Sequence, residues 1–371
     1  MTPTPPADDV VDPAAEATLR RSVPLWLLLG VGVLLGAVSI WLWPDDDPAA
    51  APASSTTEAP SPVAPTAPST TIIRSCGPDV ERSADALLVP SCGAWLGTTD
   101  RRVAGLDLAL QEERLGRDFQ MVRLYKVGRD EPFFTAEETR LADEGRILVY
   151  SWKVLNQPGA WVRVAGGEFD DALENAARQI AGSGHTVLFS LHHEPEDNVP
   201  AAGSNADYVA MMRHAHEVME PIAGSQLVWF INYRGHSFGS YEQVEAMYPG
   251  DDVIDWISWN PYNWFGCQDL AEWKSFEEQA ARFYQWATTE HPGKPLMIGE
   301  TATNEDPADP DRKARWIADM GAALQDRYPE VRAVLWFHQS GATNFCERRW
   351  DTSPQSVDAM VALAGDPYFG G

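Results

Sequence analysis

The feature that most limits what this chain can fold into is a rhythm. From residue 76 to the C-terminus, eight short apolar runs alternate with amphipathic or loop segments. The runs are 86–96, 120–125, 146–152, 186–191, 226–231, 253–259, 295–299 and 331–337. Their ends fall roughly 30 to 40 residues apart, the spacing of strand–helix units. Between them, 169–181, 206–219, 276–289 and 311–328 carry apolar residues at helical period. Asp170 and Asp171 place negative charge at one helix start, and Gly182 and Gly184 follow its end. Eight such units predict an α/β fold of the (β/α)8 TIM-barrel type over residues 76–371. The other arrangement with this alternation is a doubly wound open sheet, but its glycine-rich dinucleotide turn is missing.

In a barrel of this kind the chemistry sits at the C-terminal ends of the strands. Polar and aromatic residues collect there: Trp95, Arg123, Tyr125, Trp152, His192, Asn232, Asn260, Tyr262, and the stretch from Trp336 to His338. Two runs also lead straight into a glutamate. TVLFSLHHEPE brings in Glu194, and KPLMIGETAT brings in Glu300. A carboxyl at the end of an apolar strand is costly to bury without a use. Two of them at one barrel mouth meet the requirement for cleaving a glycosidic bond, a proton donor and a second carboxylate.

The first 75 residues lie outside this pattern. Residues 1–22 are polar and read as a disordered cytoplasmic tail. Residues 23–43, VPLWLLLGVGVLLGAVSIWLW, hold no charge and are long enough for a transmembrane signal-anchor helix. Arg20 and Arg21 ahead of it favour a cytoplasmic N-terminus, which puts the barrel outside the cell. A cleaved secretory signal is the other reading, although its apolar stretch is usually about 7–15 residues. Residues 44–75 form a linker, in which 23 of the 28 residues from 44 to 71 are Pro, Ala, Ser or Thr. Such a segment cannot build a core and tends to stay extended. The formal charge of −26 rules out nucleic acid as a natural partner, because phosphate binding needs a basic face.

At the strand ends the chain resembles glycoside hydrolases of clan A, most of all family 26, the family of the β-mannanases. The likeness rests on His193-Glu194-Pro195 after the fourth run, Gly299-Glu300-Thr301 after the seventh, and WNPYNW, with Tyr262, after the sixth. It implies a retaining β-glycoside hydrolase acting on a polysaccharide, of the endo-β-1,4-mannanase kind, without a cofactor. Glu194 would be the acid/base and Glu300 the nucleophile. Arg123 and Tyr262 would orient Glu300, and His193 would contact the sugar or orient Glu194. The resemblance also suggests Trp336 on the eighth strand. Trp152, Trp259, Trp264 and Trp336 are candidates for stacking on sugar faces, although each also fits core packing. The chain departs from the family at Ser190-Leu191-His192, where an Arg-Pro often stands, which leaves the sugar open.

Two other functions fit parts of this pattern. A metal centre at His192, His193 and Glu194 is disfavoured, because adjacent strand residues point to opposite faces. A non-catalytic glycan-binding or envelope-assembly protein on a hydrolase-like barrel would keep the fold and lose the chemistry. The four cysteines are expected to form two bridges, Cys76–Cys92 beside the first run and Cys267–Cys346 between the loops after the sixth and eighth.

Overall fold

The computed structural model describes residues 82–99, 106–235, 241–267, 272–340 and 346–370. Eight strands close into one parallel barrel in sequence order. They are β1 (Trp95–Thr99), β2 (Met121–Val127), β3 (Ile147–Lys153), β4 (Val187–Leu191), β5 (Leu227–Tyr233), β6 (Trp256–Trp259), β7 (Leu296–Thr301) and β8 (Val331–Phe337). Closure is made by β1 against β8, from Trp95 opposite Ala333 to Thr99 opposite Phe337. The described helices are α1 (Leu106–Leu115), α2 (Ala136–Asp143), α3 (Ala160–Ala165), α4 (Asp170–Ser183), α5 (Asn205–Ala223), α6 (Tyr241–Glu245), α7 (Phe276–Glu290), α8 (Arg312–Asp326) and α9 (Pro354–Ala364).

Helix starts follow local chemistry. Ser204 with Asp207 caps α5 and Ser275 with Glu278 caps α7, each side chain accepting from the other residue's backbone N–H. At the far end of α4, Gly184 takes a left-handed conformation, so the helix runs through Gly182 and ends at Ser183.

The first strand is shorter than its apolar run. Residues 84–90 form a small antiparallel turn, and β1 begins only at Trp95. Pro90 lacks the N–H that a ladder needs, and Gly93 turns the chain at φ +60°. The turn instead packs its Leu88 into the barrel interior. Its carbonyls accept from two indoles, Leu88 from Trp95 at 2.8 Å and Leu87 from Trp256 at 2.7 Å.

Alternation along each strand sorts the apolar residues into two cores. Met121, Val149, Leu188, Val228, Phe230, Trp256, Met297, Ala333 and Leu335 fill the barrel. Val122, Leu148, Phe189, Trp229, Ile257, Ile298 and Val334 face the helices. Trp152, Trp259 and Trp336 belong to this outer core, which corrects their sequence-based candidacy as sugar platforms. Trp152 packs edge-on against Phe133 and Phe189, Trp259 stacks on Phe283 at 4.8 Å, and Trp336 meets Trp316. The indole N–H of Trp152 goes to Gly128 O and that of Trp336 to Arg348 O. Each sits on the strand phase that points away from the barrel axis, so residue type alone misassigned them. Trp259→Ala should therefore cost about 3–5 kcal/mol of stability as a core cavity. Denaturant unfolding should show this as a lower midpoint, with the KM of the folded fraction unchanged.

The Cys267–Cys346 bridge is present, with a Cα–Cα distance of 5.0 Å. It joins the loop after β6 to the loop after β8. Cys92 is disulfide-bonded; Cys76, its expected partner, lies outside the described residues. So does the apolar stretch 23–43. Among the described residues, no helix is long and apolar enough to cross a membrane.

Candidate active site

The C-terminal rim is built from side chains that point inward beyond the last apolar layer. On β2 the inward phase runs Met121, Arg123, Tyr125. Arg123 is fully buried and spends its guanidinium on a polar floor. Its Nε and Nη2 donate to Ser151 Oγ at 3.1 and 2.8 Å, and its Nη1 donates to Asn232 Oδ1 at 3.0 Å. Ser258 Oγ donates to the same Asn232 oxygen at 2.9 Å. Four strands, β2, β3, β5 and β6, thus meet in one hydrogen-bonded layer.

Glu300 stands on this layer, and a backbone irregularity puts it there. Ile298 pairs with Val334, but Thr301 pairs with Trp336, so β7 holds one extra residue across that interval. Such a bulge turns a side chain that strict alternation would send outward. Gly299 and Glu300 both end up on the barrel side. The Glu300 carboxyl accepts from Tyr125 Oη at 2.5 Å and from Tyr262 Oη at 2.6 Å, one hydroxyl to each oxygen. The Arg123 Nη1 cation lies 3.5 Å from Glu300 Oε1. Burial, ahead of the neighbouring charges, pushes both phenols well above their ordinary range, so they remain donors.

Gly299 makes this approach possible. A Cβ there would lie within 2.6 Å of Asn232 Oδ1, Ser258 Oγ and Arg123 Nη1 at once. Gly299→Ala should thus displace the polar floor, destabilise the fold by about 1–3 kcal/mol and lower kcat. A thermal melt and a turnover assay on the same preparation check both effects.

Glu194 reaches the same mouth from the other side. The β4 ladder stops at Leu191, and His192 and Glu194 both take left-handed backbone conformations, φ +60° and +51°. Strained residues of this kind persist only when their surroundings fix them. Here the His192 N–H donates to Trp152 O at 2.7 Å and the Glu194 N–H to Asn232 O at 2.8 Å, pinning the segment to β3 and β5. Asn260 Nδ2 donates to Glu194 Oε1 at 2.7 Å. Burial, then repulsion from Glu300, raises the Glu194 carboxyl to about 7, with the Asn260 contact pulling the other way. One carboxyl is thus set to hold a proton near neutrality while the other takes two phenol hydroxyls and a nearby guanidinium.

The remaining candidates divide. His193 is half-buried with its ring edge-on to Tyr125 at 5.3 Å, next to the hydroxyl that bonds Glu300. His192 turns the other way, buried against Trp161, and burial lowers it to about 3, so it stays neutral. Trp264 is half-buried and lies 4.7 Å from the Tyr262 ring. It is the one member of the four tryptophan candidates at the mouth. Tyr125 and Asn260, which touch the two carboxyls directly, stood in the sequence only among the strand-end polar residues. Tyr125 was open to a sharper reading, since it shares a face with Arg123 two residues before it.

No family model matches the chain. It is 26% identical over 294 residues to endoglucanase H of Acetivibrio thermocellus, a match covering 74% of this chain and 30% of that protein. The chain therefore spans less than a third of its curated relative's length. Among solved structures, the fold is similar to a family 26 β-mannanase from Bacteroides ovatus, with a TM-score of 0.56, 16% identity, and coverage of 74% of this chain and 89% of that one. A modular endo-β-1,4-mannanase from Cellulomonas fimi gives 0.55 and 16%, over 74% and 71%. The catalytic domain of a family 26 endo-β-1,4-mannanase from Bacillus sp. JAMB-750 gives 0.54 and 13%, over 74% and 86%. These neighbours share the barrel fold that the resemblance to family 26 implied.

Proposed function

We propose that this chain is a retaining β-glycoside hydrolase acting on a polysaccharide by double displacement, held at the outer face of the cell membrane by residues 23–43. The observation that carries the reading is the division of labour between two carboxyls at one barrel mouth. Glu194 is raised to about 7, and Glu300 has a hydroxyl on each oxygen and a guanidinium beside it. That asymmetry separates a proton donor from a nucleophile.

In the first step Glu300 attacks the anomeric carbon while Glu194 gives its proton to the leaving oxygen. The glycosidic C–O bond breaks and a covalent glycosyl–Glu300 ester forms. In the second step Glu194, now ionised, takes a proton from water, which displaces Glu300 with a second inversion. Loss of the Glu300 charge in the first step lowers the proton affinity of Glu194, which fits its change from acid to base.

The similar structures are β-mannanases and the curated relative is an endoglucanase, so β-mannans and β-glucans are the substrates of choice. The full chain should release reducing ends from one of β-mannan, β-glucan or xylan. Proton NMR of the first product should show the β-anomer before mutarotation. An initial α-anomer would sink the double displacement. Binding without any release of reducing ends would favour the glycan-binding alternative. Protease added outside sealed cells should digest residues 76–371, and protection of that segment until the cells are lysed would overturn the placement of the barrel.

A further inference from the structure

Arg348 follows β8 in a loop whose backbone is fixed at two points. Its N–H donates to Gln339 O at 3.2 Å, and its carbonyl accepts from Trp336 Nε1 at 2.7 Å. Its side chain lies against aromatic residues near Glu300. The guanidinium carbon lies 4.7 Å from the centre of the Phe337 ring and 5.9 Å from that of Trp264. Phe337 in turn meets Tyr262 at 6.0 Å, and Tyr262 holds Glu300.

What distinguishes Arg348 is unused bonding. Among the described residues its buried Nε has no hydrogen-bond partner and its guanidinium makes no ion pair. Structural arginines elsewhere in the barrel differ: even Arg332, whose Nε is likewise unpartnered, donates through Nη2 to Pro90 O. Arg82 donates to the carbonyls of Ala94, Pro367 and Tyr368, and the adjacent Arg349 pairs with Glu347 at 2.9 Å. In a chain of formal charge −26, a guanidinium left without a carboxylate beside the nucleophile is out of the ordinary. A buried donor without a partner costs stability unless a ligand completes it.

We propose that Arg348, stacked on Phe337 and flanked by Trp264, is a substrate-contacting residue that donates to a pair of ring hydroxyls on a neutral sugar next to the one cleaved. Contact with the Phe337 ring holds the guanidinium in place, so its N–H groups present a positioned pair of donors. A neutral sugar fits better than a uronate-bearing one, because an anionic polymer would approach against the charge of the whole chain. Trp264 supplies the apolar face that a pyranose ring covers.

The proposal rests on the hydrolase reading, and the test separates the two. Full-chain wild type, Arg348→Met and Arg348→Lys are compared on a series of neutral oligosaccharides. Both variants should lose about 10- to 100-fold in kcat/KM, carried mainly by KM, as expected for lost charge-assisted hydrogen bonds. The positions of cleavage should shift, while the limbs of the pH profile stay in place. A pH profile displaced with kcat, at unchanged KM, would overturn the proposal and make Arg348 a charge acting on Glu300 through Tyr262. Wild-type kinetics and products for either variant would overturn it as well, Lys because it lacks the fork. Preference for uronate-containing glycans that fades with salt would overturn the neutral assignment. If the wild type cleaves none of the glycans, the hydrolase reading fails on its own. Calorimetric binding of the same oligosaccharides then decides for Arg348, since Arg348→Met must weaken it.

Discussion

Glu300→Ala is expected to lower kcat by at least about 10⁴-fold, with the barrel still folded. Among the described residues the proposed covalent step has no other carboxyl in place to use. Glu194 approaches from the opposite rim and is tied to Asn260 and the β5 backbone. The loss should exceed that from removing any of the groups around Glu300, because Tyr125, Tyr262 and Arg123 would only tune the proposed nucleophile that the variant lacks. Stability should change little or rise. The alanine leaves two phenol hydroxyls without an acceptor but removes a buried carboxyl whose desolvation the fold now bears. Reducing-end release and a thermal melt, run side by side, check both parts. Retention of more than about a tenth of wild-type kcat would remove Glu300 from the chemistry.

Glu194→Gln is expected to cost about 10²–10⁴-fold in kcat on a polysaccharide, the range of general acid–base catalysis. The loss should be smaller on an aryl glycoside whose leaving group needs no proton. The pH profile gives a sharper result. Glu194 must be protonated to act as the acid, and its carboxyl sits at about 7. Wild-type activity should therefore hold below that pH and fall as pH rises through it. In Glu194→Gln that alkaline limb should vanish, because an amide carries no titrating proton. A variant that keeps the limb would show that another group sets it.

The motif residues at the rim were readable because they sit where apolar runs end, and in this fold those ends share one face. Arg123, Glu194, Tyr262 and Glu300 stood out through that rule together with the resemblance that their motifs carry. Tyr125 and Asn260 were harder to single out, since a tyrosine or asparagine at a strand end is as often a packed or capped residue as a ligand. The tryptophans misled for the opposite reason. Aromatic size suggests a sugar platform, but Trp152, Trp259 and Trp336 stand on the strand phase that faces the helices.

Composition and period were enough to determine the barrel, its strand order and the end at which chemistry would sit, because local pattern and chain connectivity leave few alternatives. The aim of individual side chains was decided only in three dimensions. Strict alternation would have sent Glu300 to the helix side of β7, and a bulge against β8 brings it back. Glu194 is presented by a left-handed turn that hydrogen bonds to β3 and β5 hold in place. The partners of Gly299, Arg123 and Asn232 come from β2, β3, β5 and β6, between 26 and 109 residues apart in the chain. A bulge, a strained turn and a shared polar floor depend on neighbours that meet only after the barrel has closed, and so leave no periodic trace in the sequence.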